Sequence, residues 1–531
     1  MTTIEAELKL RLADPACLTS ILETPLLQEM SSQPPCKQTL ETTYYDTPDQ
    51  SLLRSRLSYR LRLADGEWVA TVKADGTSDG GLHQRAEFNV PVNNPLPEIA
   101  PFLTTEIGAR LSEAVGDFPL EPVFSTKFDR HIRNLITPDG SVIELAIDDG
   151  EIIAGDKRQA ILELELELKA GQPQSLIWLG ALLAAEFPLL PERDSKLYRA
   201  TLLAGLADGL ASDTPLPSPV KKISTAFPAR QVLCQTMIYY IHEAIRAQQS
   251  FLSAPNDTGT LQELQNMLQK IYALLEFTQP LLPLEEYLRW QKELTAWDTQ
   301  LSRIRDFAIF QHAWDELTEY TAQTIPNTPG KQVLTSLLAG KSETIRTNFY
   351  AKAARGQLTP VFLGLWSYLQ TYAEQSLDDN ILFKEFSRDR LAEWLTQFLD
   401  QGSNLTLTNP ELVQQIDLSG KRLQYILEAL AAALPHSTEL LAARLEKLQE
   451  VLSSIQNITL TPIFLHEVVK ASASRLTHRD AGLITGWQLA KSAAAKSGWK
   501  KAWSKVTKAA SKQKKLKPLD EYALKMRSPE I

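Results

Sequence analysis

The stretch TTIEAELKLRL, residues 2–12, alternates apolar and charged side chains from Ile4 onward without a break. Successive side chains of an extended strand point to opposite faces, so this stretch predicts a β-strand with one apolar and one charged face. The charged face carries two acids followed by two bases, which are Glu5, Glu7, Lys9 and Arg11. Alternation alone is typical of a half-buried strand whose polar face lies in water, so the other strands must show what this face contacts.

Length and composition limit the possible folds. A chain of 531 residues is too long for one ordinary core and predicts two or more domains. Apolar residues make up 44% of the chain and charged residues 22%, as in soluble globular proteins. The net charge of -9 does not suggest a general nucleic-acid binder, so we expect no nucleic-acid partner.

We expect no export signal at the start of the sequence. Its start, MTTIEAELKL, has acids where a signal peptide would have a basic region and an apolar run. No uninterrupted apolar run reaches the roughly 18 residues of a membrane-spanning helix. Cys17, Cys36 and Cys234 are scattered and fit neither a disulfide framework nor a zinc site. We therefore expect a cytoplasmic protein with no membrane partner.

The chain divides into two halves with different periodicity. Residues 1–208 consist mostly of alternating strand segments, and the Asp-Gly pairs at 65–66 and 139–140 and DGE at 149–151 predict turns. The Pro-, Ser- and Asp-rich residues 209–224 predict a linker. Many short helical segments over 225–515 predict a set of bundles, followed by a tail at 516–531. The predicted class is α+β, an antiparallel sheet domain followed by an all-helical domain.

The other predicted strands also have charged faces. Arg60 and Arg62 share one face of LSYRLRL, and three glutamates share one face of ILELELELK, residues 161–169. Three glutamates in a row repel one another unless cations lie among them. Strands that curl into a barrel would place these faces together inside it, with the apolar faces outside and covered by helices.

The residue types indicate a chemistry for such an interior. Carboxylates bind Mg²⁺ or Mn²⁺, which also binds the phosphate groups of substrates. Arginine forks grip phosphate oxygens in pairs, and lysine supplies point charge. Phosphoryl transfer mostly needs this kind of positioning and charge neutralisation, so a triphosphate is the predicted substrate.

Motifs along the first half resemble the CYTH superfamily, also called triphosphate tunnel metalloenzymes. Glu5-Ala6-Glu7-Leu8-Lys9 is an ExExK motif, and YYDTPD at 44–49, Lys73 in TVK, ELELEL at 163–168 and Ser195-Lys196 follow in that family's order. GGLHQRAEFNV, residues 80–90, resembles the bacterial inorganic triphosphatase branch in particular. The resemblance implies an eight-stranded antiparallel tunnel that hydrolyses triphosphate to phosphate and pyrophosphate with Mg²⁺ or Mn²⁺.

The resemblance also implies roles for individual residues. The metal ligands would be Glu5, Glu7, Glu165 and Glu167, with Glu163 as a further candidate because the glutamate run can be aligned in two ways. The phosphate-binding bases would be Lys9, Arg60, Arg62, Lys73, Arg85, Arg130 and Lys196. Lys127 and Arg133 are alternatives to Arg130. Glu87, Glu144 and Asp148 would complete the catalytic lining, Asp148 could orient a water, and Lys9 could act as a base if its pKa were lowered. His83 is either a turn or rim histidine or a substrate contact.

The helical half resembles a CHAD domain, in LSRIRDF at 301–307, KRLQYILEAL at 421–430 and AGLITGWQLAKSAAAKSGWKKAW at 481–503. Gln262, Gln265, Gln414 and Asp417 stand where that family places basic residues or histidine. The resemblance implies polyphosphate as a partner of this half, and the lost bases predict weak binding. Five lysines at helical spacing form a stripe that is either a solvated tail or an anion-binding face: Lys501, Lys505, Lys508, Lys512 and Lys515.

Two other functions remain open from the sequence. Thiamine triphosphatases and adenylate cyclases are also CYTH proteins and share the ionic lining. A non-catalytic polyphosphate scaffold would use both halves, but a pure anion binder gains nothing from five or more buried glutamates.

Overall fold

The computed structural model describes residues 3–31, 33–64, 66–206, 227–324, 331–375, 381–469 and 475–514. These residues form two compact units. The first contains the described residues up to 206 together with Lys352–Thr371, and the second contains the rest. The predicted linker at 209–224 and the predicted tail at 516–531 lie outside the described residues.

The first unit is built on an antiparallel sheet. Its strands are β1 Thr3–Leu12, β2 Cys36–Asp46, β3 Leu57–Ala64, β4 Glu67–Asp79, β5 Leu82–Val92, β6 Glu121–Ile136, β7 Val142–Ala154, β8 Lys157–Ala170 and β9 Leu189–Pro191. They lie in the order β5-β4-β3-β2-β6-β7-β8-β1, and β1 also pairs with β5, which closes the sheet. The predicted eight-stranded antiparallel barrel is therefore confirmed, and the short β9 adds to β1 outside the ring.

Alternation along the strands separates the two faces of the barrel. The apolar side chains of β1 are buried, with Leu8 and Leu10 fully covered. The helices of this unit are α1 Cys17–Leu22, α2 Pro25–Met30, α3 Ser51–Arg54, α4 Gly108–Val115, α5 Gln174–Glu186 and α6 Lys196–Ala204. Gly180 of α5 lies against Leu8, so α5 covers the outer face of β1.

Strand register brings the charged motifs together. Glu7 pairs with Glu167 and Lys9 with Glu165 across β1 and β8. Glu5 pairs with Arg85 across β1 and β5. Because opposed residues in an antiparallel pair point to the same face, these side chains all line the interior.

Helix α6 closes part of the interior. Its N-cap is Ser195, whose hydroxyl accepts a hydrogen bond from the Tyr198 backbone N–H at 3.1 Å, and it ends at Gly205 with φ 75°. Its buried Ala200 packs in an apolar cluster with inward-facing strand residues. These are Leu40, Tyr44, Phe124, Phe128, Ile152, Ala154 and Ile161.

The second unit is helical. The described α-helices after residue 227 are α7 Ala229–Ser253, α8 Thr258–Thr278, α9 Leu284–Thr324, α10 Lys331–Ala354, α11 Thr359–Glu374, α12 Phe383–Ser403, α13 Pro410–Ala429, α14 Ser437–Val469 and α15 Arg475–Lys514. Most of α11 belongs to the first unit. Asp257 and Asn409 cap α8 and α13 by accepting backbone N–H groups of the first turn. No helix among the described residues has the length and apolarity needed to cross a membrane.

Two expectations about local structure were wrong. DGE at 149–151 is not a turn, because β7 runs through it, and Gly150 is needed where its backbone passes close to the Lys127 carbonyl. The predicted helices were also too short, since α9 has 41 residues, α14 has 33 and α15 has 40. Apolar spacing marks the faces of a helix, whereas its length depends on whether the residues between those faces can remain helical.

Part of the helical sequence belongs to the barrel unit. Residues 352–371 include most of α11, whose Leu363 lies near the Gly180 position beside Leu8. Just before α11, Gly356 has φ 70° and lies against the Leu189 backbone. A side chain at Gly356 would meet that backbone, so glycine is required for the close approach.

Candidate active site

A group of acids and bases lies at the centre of the barrel interior, and we call it the central ionic cluster. Its members are Lys9, Arg130, Asp148, Glu163, Glu165, Lys196 and Arg199. Arg130 Nε and Nη2 each donate to one Asp148 oxygen at 2.7 Å, and Nη2 also donates to Glu165 at 2.6 Å. Lys196 Nζ donates to Asp148 at 2.7 Å and to Glu165 at 3.0 Å.

The remaining contacts of this cluster neutralise its acids. Lys9 Nζ donates to Glu165 at 2.7 Å, and Glu163 binds both Lys196 and Arg199. Asp148, Glu163 and Glu165 offer oxygens within 4.8 Å of one another, a spacing that suits a metal ion. Four cations already surround these three acids and neutralise their charge. A metal ion would therefore gain less by binding here than the spacing of the oxygens suggests.

A second set of carboxylates lies along the same strands, and we call it the acid group: Glu5, Glu7, Glu144 and Glu167. Register places Glu7 and Glu144 on either side of Glu167. The Oε1 atom of the buried Glu7 lies 3.0 Å from Lys9 Nζ. Burial, reinforced by Glu5 and Glu144, raises the pKa of Glu167 despite a contact with Lys169 at 2.7 Å. Four crowded carboxylates leave an excess of negative charge here, which suits a hard divalent cation.

The opposite wall of the barrel is basic. Lys73 Nζ donates to Glu5 at 2.6 Å and lies 3.4 Å from Glu87, and Arg60 donates to Glu87 at 3.1 Å. Burial alone would raise the pKa of Glu87, but Lys73 and Arg60 lower it to about 2. Glu87 is therefore ionised and holds two bases in place.

Two arginines on this wall make no ion pair with any described residue. Within the described residues, no carboxylate oxygen lies within 4.0 Å of the Arg62 or Arg85 guanidinium. Arg62 Nε donates to the Thr42 hydroxyl at 3.0 Å. Burial, Arg60 and Arg130 lower the pKa of Arg62 to about 9. Guanidinium keeps its proton in proteins, so a partly covered position beside two other cations, with no ion-pair partner in the described chain, suits an anion.

Lys9 remains a cation. Burial lowers its pKa, but Glu165, Glu7 and Glu163 outweigh burial and raise the pKa above its ordinary value. This direction is the opposite of what a general base needs.

The sequence-predicted residues lie on the interior face. Alternation along β6 resolves the choice among three bases, because Lys127 is exposed and pairs with Glu41, whereas Arg133 lies on the outer face. Arg130 alone of the three reaches the central ionic cluster. Arg199 was missed, although its position three residues after Lys196 places both on one face of α6.

A small cavity borders the basic wall. Its volume is about 160 Å³, and Lys73, Arg85 and Ser58 line it together with Tyr198 and Thr201 of α6. His83, next to Arg85 on the inner face of β5, is fully buried and not a rim histidine.

The positions read as lost bases in the helical half do not form a basic face. Gln262 is exposed and donates to Asn266, whereas Gln265 is buried. Asp417 is buried and accepts from Lys421 at 2.7 Å, and Arg422 pairs with Glu276 at 2.8 Å.

The lysine stripe is exposed over most of its length. Lys501, Lys505, Lys508 and Lys512 are exposed on α15, and Lys515 lies outside the described residues. A solvated surface and an anion-binding face both fit this exposure.

Comparison with known proteins also separates an N-terminal part of the chain from a helical C-terminal part. Residues 3–200 match the family model of the CYTH domain, and residues 239–466 match that of the CHAD domain. A curated inorganic triphosphatase of Haemophilus influenzae is 37% identical over 164 residues, which cover 31% of this chain and 46% of that protein. The chain thus spans about half the length of this relative.

Two solved structures are similar at low identity. The CHAD domain of the plant Ricinus communis is 15% identical, with a TM-score of 0.45, covering 55% of this chain and 96% of that one. An adenylyl cyclase candidate from Hippeastrum, described with a dominant triphosphatase activity, is 19% identical, with a TM-score of 0.28. The match covers 37% of this chain and 95% of that one. The chain combines an N-terminal CYTH domain with a C-terminal CHAD domain.

Proposed function

We propose that this protein is a metal-dependent inorganic triphosphatase that splits triphosphate into phosphate and pyrophosphate inside the barrel. The observation that carries the proposal is the pair of half-buried guanidinium groups, Arg62 and Arg85, that lack a carboxylate partner within 4.0 Å in the described chain. A compact polyanion supplies the missing charge to the arginines, and a metal ion links it to the acids. The name of the Haemophilus influenzae relative supports the same substrate.

Different bases would bind different parts of the triphosphate. Arg62 and Arg85 have guanidinium donors to offer phosphate oxygens in pairs, and Arg60 and Lys73 adjoin them. Lys9, Arg130 and Lys196 extend the positive charge into the central ionic cluster. Developing charge on the phosphates would thus meet cations that are already oriented, which lowers the reorganisation needed during reaction.

We assign Mg²⁺ or Mn²⁺ to the acid group because only Lys73, Lys9 and Lys169 contact its four carboxylates in the described chain, whereas four cations surround Asp148, Glu163 and Glu165. Glu5, Glu7 and Glu167 would be ligands, with Glu144 beside them. When bound, the metal would neutralise phosphate charge and lower the pKa of a coordinated water. Glu165 borders this group through Lys9. Glu163 instead holds Lys196 and Arg199 in place.

Asp148 would position bases. Burial alone would raise its pKa, but Arg130 and Lys196 lower it, and both of its oxygens are occupied by those cations. A carboxylate held in this way orients Arg130 and Lys196, and its side chain is completely buried. Glu87 would do the same for Arg60 and Lys73.

The small cavity favours inorganic triphosphate over the other CYTH substrates. Pockets that hold a drug-sized ligand usually measure roughly 300–1,000 Å³. The cavity of about 160 Å³ beside Lys73 and Arg85 is smaller, and α6 lines it. Inorganic triphosphate has no nucleoside or thiamine group to accommodate, so it suits this smaller cavity.

The helical half would contribute little to phosphate binding. Lys421 and Arg422 are paired with acids, so they would have to release Asp417 and Glu276 before they could bind polyphosphate. The exposed lysines of α15 act as point charges that salt screens. We propose weak, salt-sensitive polyphosphate binding at this stripe.

A cytoplasmic location is part of the proposal. Cys17, Cys36 and Cys234 are all free thiols. Free scattered cysteines suit a reducing compartment. Fractionation of cells that produce the full chain tests this location.

The direct test is phosphate release by the full chain from inorganic triphosphate, ATP and thiamine triphosphate, with and without Mg²⁺. Triphosphate should be preferred, and the Arg62→Ala variant should lose most turnover. Lys127→Ala is the matched control, because Lys127 is a base on the exposed outer face. Preference for ATP or thiamine triphosphate would indicate another of the CYTH activities. Binding of triphosphate without turnover would favour a scaffold.

A further inference from the structure

His83 lies in the barrel interior with both ring nitrogens in use. It is fully buried on β5, opposite Glu7 of β1. Its Nε2 lies 3.0 Å from the carbonyl oxygen of Glu192, and its Nδ1 lies 3.3 Å from Nη2 of Arg85. A carbonyl can only accept and a guanidinium can only donate, so Nε2 carries the proton and Nδ1 is the acceptor.

The Glu192 carbonyl is itself held at a junction of strands. The Glu192 N–H donates to the Lys9 carbonyl at 2.8 Å, and the Lys9 N–H donates to the Gly81 carbonyl at 2.8 Å. Gly81 has φ 96°, and a side chain there would crowd the Lys9 carbonyl at 3.0 Å. His83 therefore binds to a backbone position that β1 and the turn before β5 both hold in place.

The two contacts of the ring make it neutral. With its proton on Nε2 for the Glu192 carbonyl, the imidazole keeps Nδ1 as the acceptor for Arg85.

Arg85 depends on this acceptor for its orientation. Other interior bases, such as Arg130 and Lys73, are held by carboxylates, whereas Arg85 has none within 4.0 Å in the described chain. Its Nε is buried without a hydrogen-bond partner, and the side chain borders the small cavity. A long side chain loses several rotamers when it binds, so orienting it beforehand improves affinity.

We propose that His83 is a positioning residue that orients the Arg85 guanidinium toward the phosphate groups of the substrate, by linking it to the Glu192 carbonyl. The assignment rests on the proposed triphosphatase function. A neutral acceptor holds Arg85 without cancelling its charge, which a carboxylate at this position would do.

Two substitutions separate the two hydrogen bonds. His83→Asn keeps a side-chain oxygen near the Nδ1 position and can still accept from Arg85, but it cannot reach Glu192. His83→Gln can place an amide N–H near the Nε2 position for Glu192, but it has no acceptor at the Nδ1 position. We expect His83→Gln to raise KM for triphosphate about tenfold with a smaller change in kcat, and His83→Asn to restore most of the affinity.

A double-mutant cycle with Arg85→Ala tests whether His83 acts through Arg85. In the Arg85→Ala background, His83→Gln should change KM less than twofold. Equal effects of the Asn and Gln substitutions, or additive losses in the cycle, would overturn the proposal. So would an unchanged KM in His83→Gln. Tm values measured in parallel show whether a loss reflects global destabilisation.

Two readouts do not need turnover. Long-range ¹H–¹⁵N spectra of histidine-labelled protein should show His83, identified by its absence in His83→Gln, as the neutral Nε2–H tautomer. Calorimetry should show weaker triphosphate binding by His83→Gln than by His83→Asn. A wild type that binds triphosphate without hydrolysing it would refute the proposed function and leave this test intact. A protonated or Nδ1–H histidine, or a wild type that does not bind triphosphate, would refute the positioning role.

Discussion

Arg130 and Asp148 form a two-point ion pair inside the barrel, with Nε and Nη2 each donating to one carboxylate oxygen at 2.7 Å. The Asp148 side chain is completely buried, and Lys196 binds it as well. Arg130 also reaches Glu165, so this pair connects β6, β7 and β8. A buried pair of this kind contributes less to net stability than its distances suggest, yet removal of one partner leaves an uncompensated charge.

Asp148→Asn should therefore destabilise the fold. Two cations, Arg130 and Lys196, would lose the acid that compensates them, and we expect a loss of about 3–5 kcal/mol in the free energy of unfolding. Urea unfolding measures it. Asp129→Asn is the control, because Asp129 pairs with Lys37 on the exposed face and should lose less than about 1 kcal/mol. Equal losses in the two variants would contradict the buried network.

Arg62→Gln should separate stability from activity. Arg62 is half-buried beside Arg60 and Arg130 without an acid within 4.0 Å in the described chain, so its removal relieves repulsion. We expect unfolding to require about 1 kcal/mol more free energy, while kcat/KM for triphosphate falls at least a hundredfold. Thermal unfolding and steady-state kinetics on the same sample check both. A variant that is less stable and fully active would reverse both expectations.

Metal removal should abolish turnover. EDTA should stop phosphate release, and added Mg²⁺ or Mn²⁺ should restore it, because the acid group repels the substrate without a cation. Glu5→Gln should lower kcat by orders of magnitude while the far-UV circular dichroism spectrum stays unchanged. Glu41→Gln, which alters an exposed ion pair with Lys127, is the control. Ca²⁺ in excess should inhibit, since it is larger and tolerates irregular coordination. Full activity in EDTA would exclude the metal from the reaction.

The pH dependence of stability should reflect Glu87. Its pKa is about 2 in the folded protein and near 4.5 in an ordinary glutamate. A lowered carboxyl pKa contributes stability that is fully present above pH 4.5 and is lost as pH falls toward 2. Unfolding free energies at pH 2–6 should therefore fall less steeply in Glu87→Gln than in the wild type. Identical slopes would show that Lys73 and Arg60 do not stabilise the charged form of Glu87.

The affinity of the protein for its metal ion should rise with pH as Glu167 ionises, because the pKa of Glu167 is raised.

Gly356→Ala should weaken the barrel unit. The φ of 70° disfavours alanine, and the new methyl group would meet the Leu189 backbone. We expect a loss of roughly 1–3 kcal/mol in the free energy of unfolding. Gly340→Ala on α10 has open space around it, and alanine suits a helix interior, so stability should stay level or rise by up to about 1 kcal/mol. A neutral Gly356→Ala would indicate that residues 352–371 contribute little to the unit.

The barrel could be predicted because its signal is local. A period of two residues gives the face of every charged residue on β1 and β8, and closed pairing follows once both faces of each strand must be covered. Alternation along β6 could also have excluded both Lys127 and Arg133 in favour of Arg130, since those two residues share the opposite face of the strand. The register between β6 and β7 was needed only to show that Arg130 meets Asp148.

The parts that escaped prediction depend on distant contacts. Arg199 follows a helical period and meets Glu163 only because α6 enters the barrel. Glu163, Glu165 and Glu167 look equivalent in sequence. They differ in the cations that other elements bring, since Lys196 and Arg199 reach Glu163 whereas Lys169 reaches Glu167. Likewise, the neutral state of His83 depends on burial and on Lys9, which lies on another strand.

The place of α11 in the barrel unit has a consequence for protein synthesis. The strand that begins the chain, with Leu8 beneath Gly180, lies near Leu363, so more than 350 residues must emerge from the ribosome before this packing is complete. Domains usually fold in order as they are made, at roughly 5–20 residues per second. The barrel of this chain would instead wait for roughly 10–30 seconds with an apolar surface uncovered, while the residues between α6 and α11 are made. During that interval the nascent chain is a natural client for chaperones that bind exposed apolar surface.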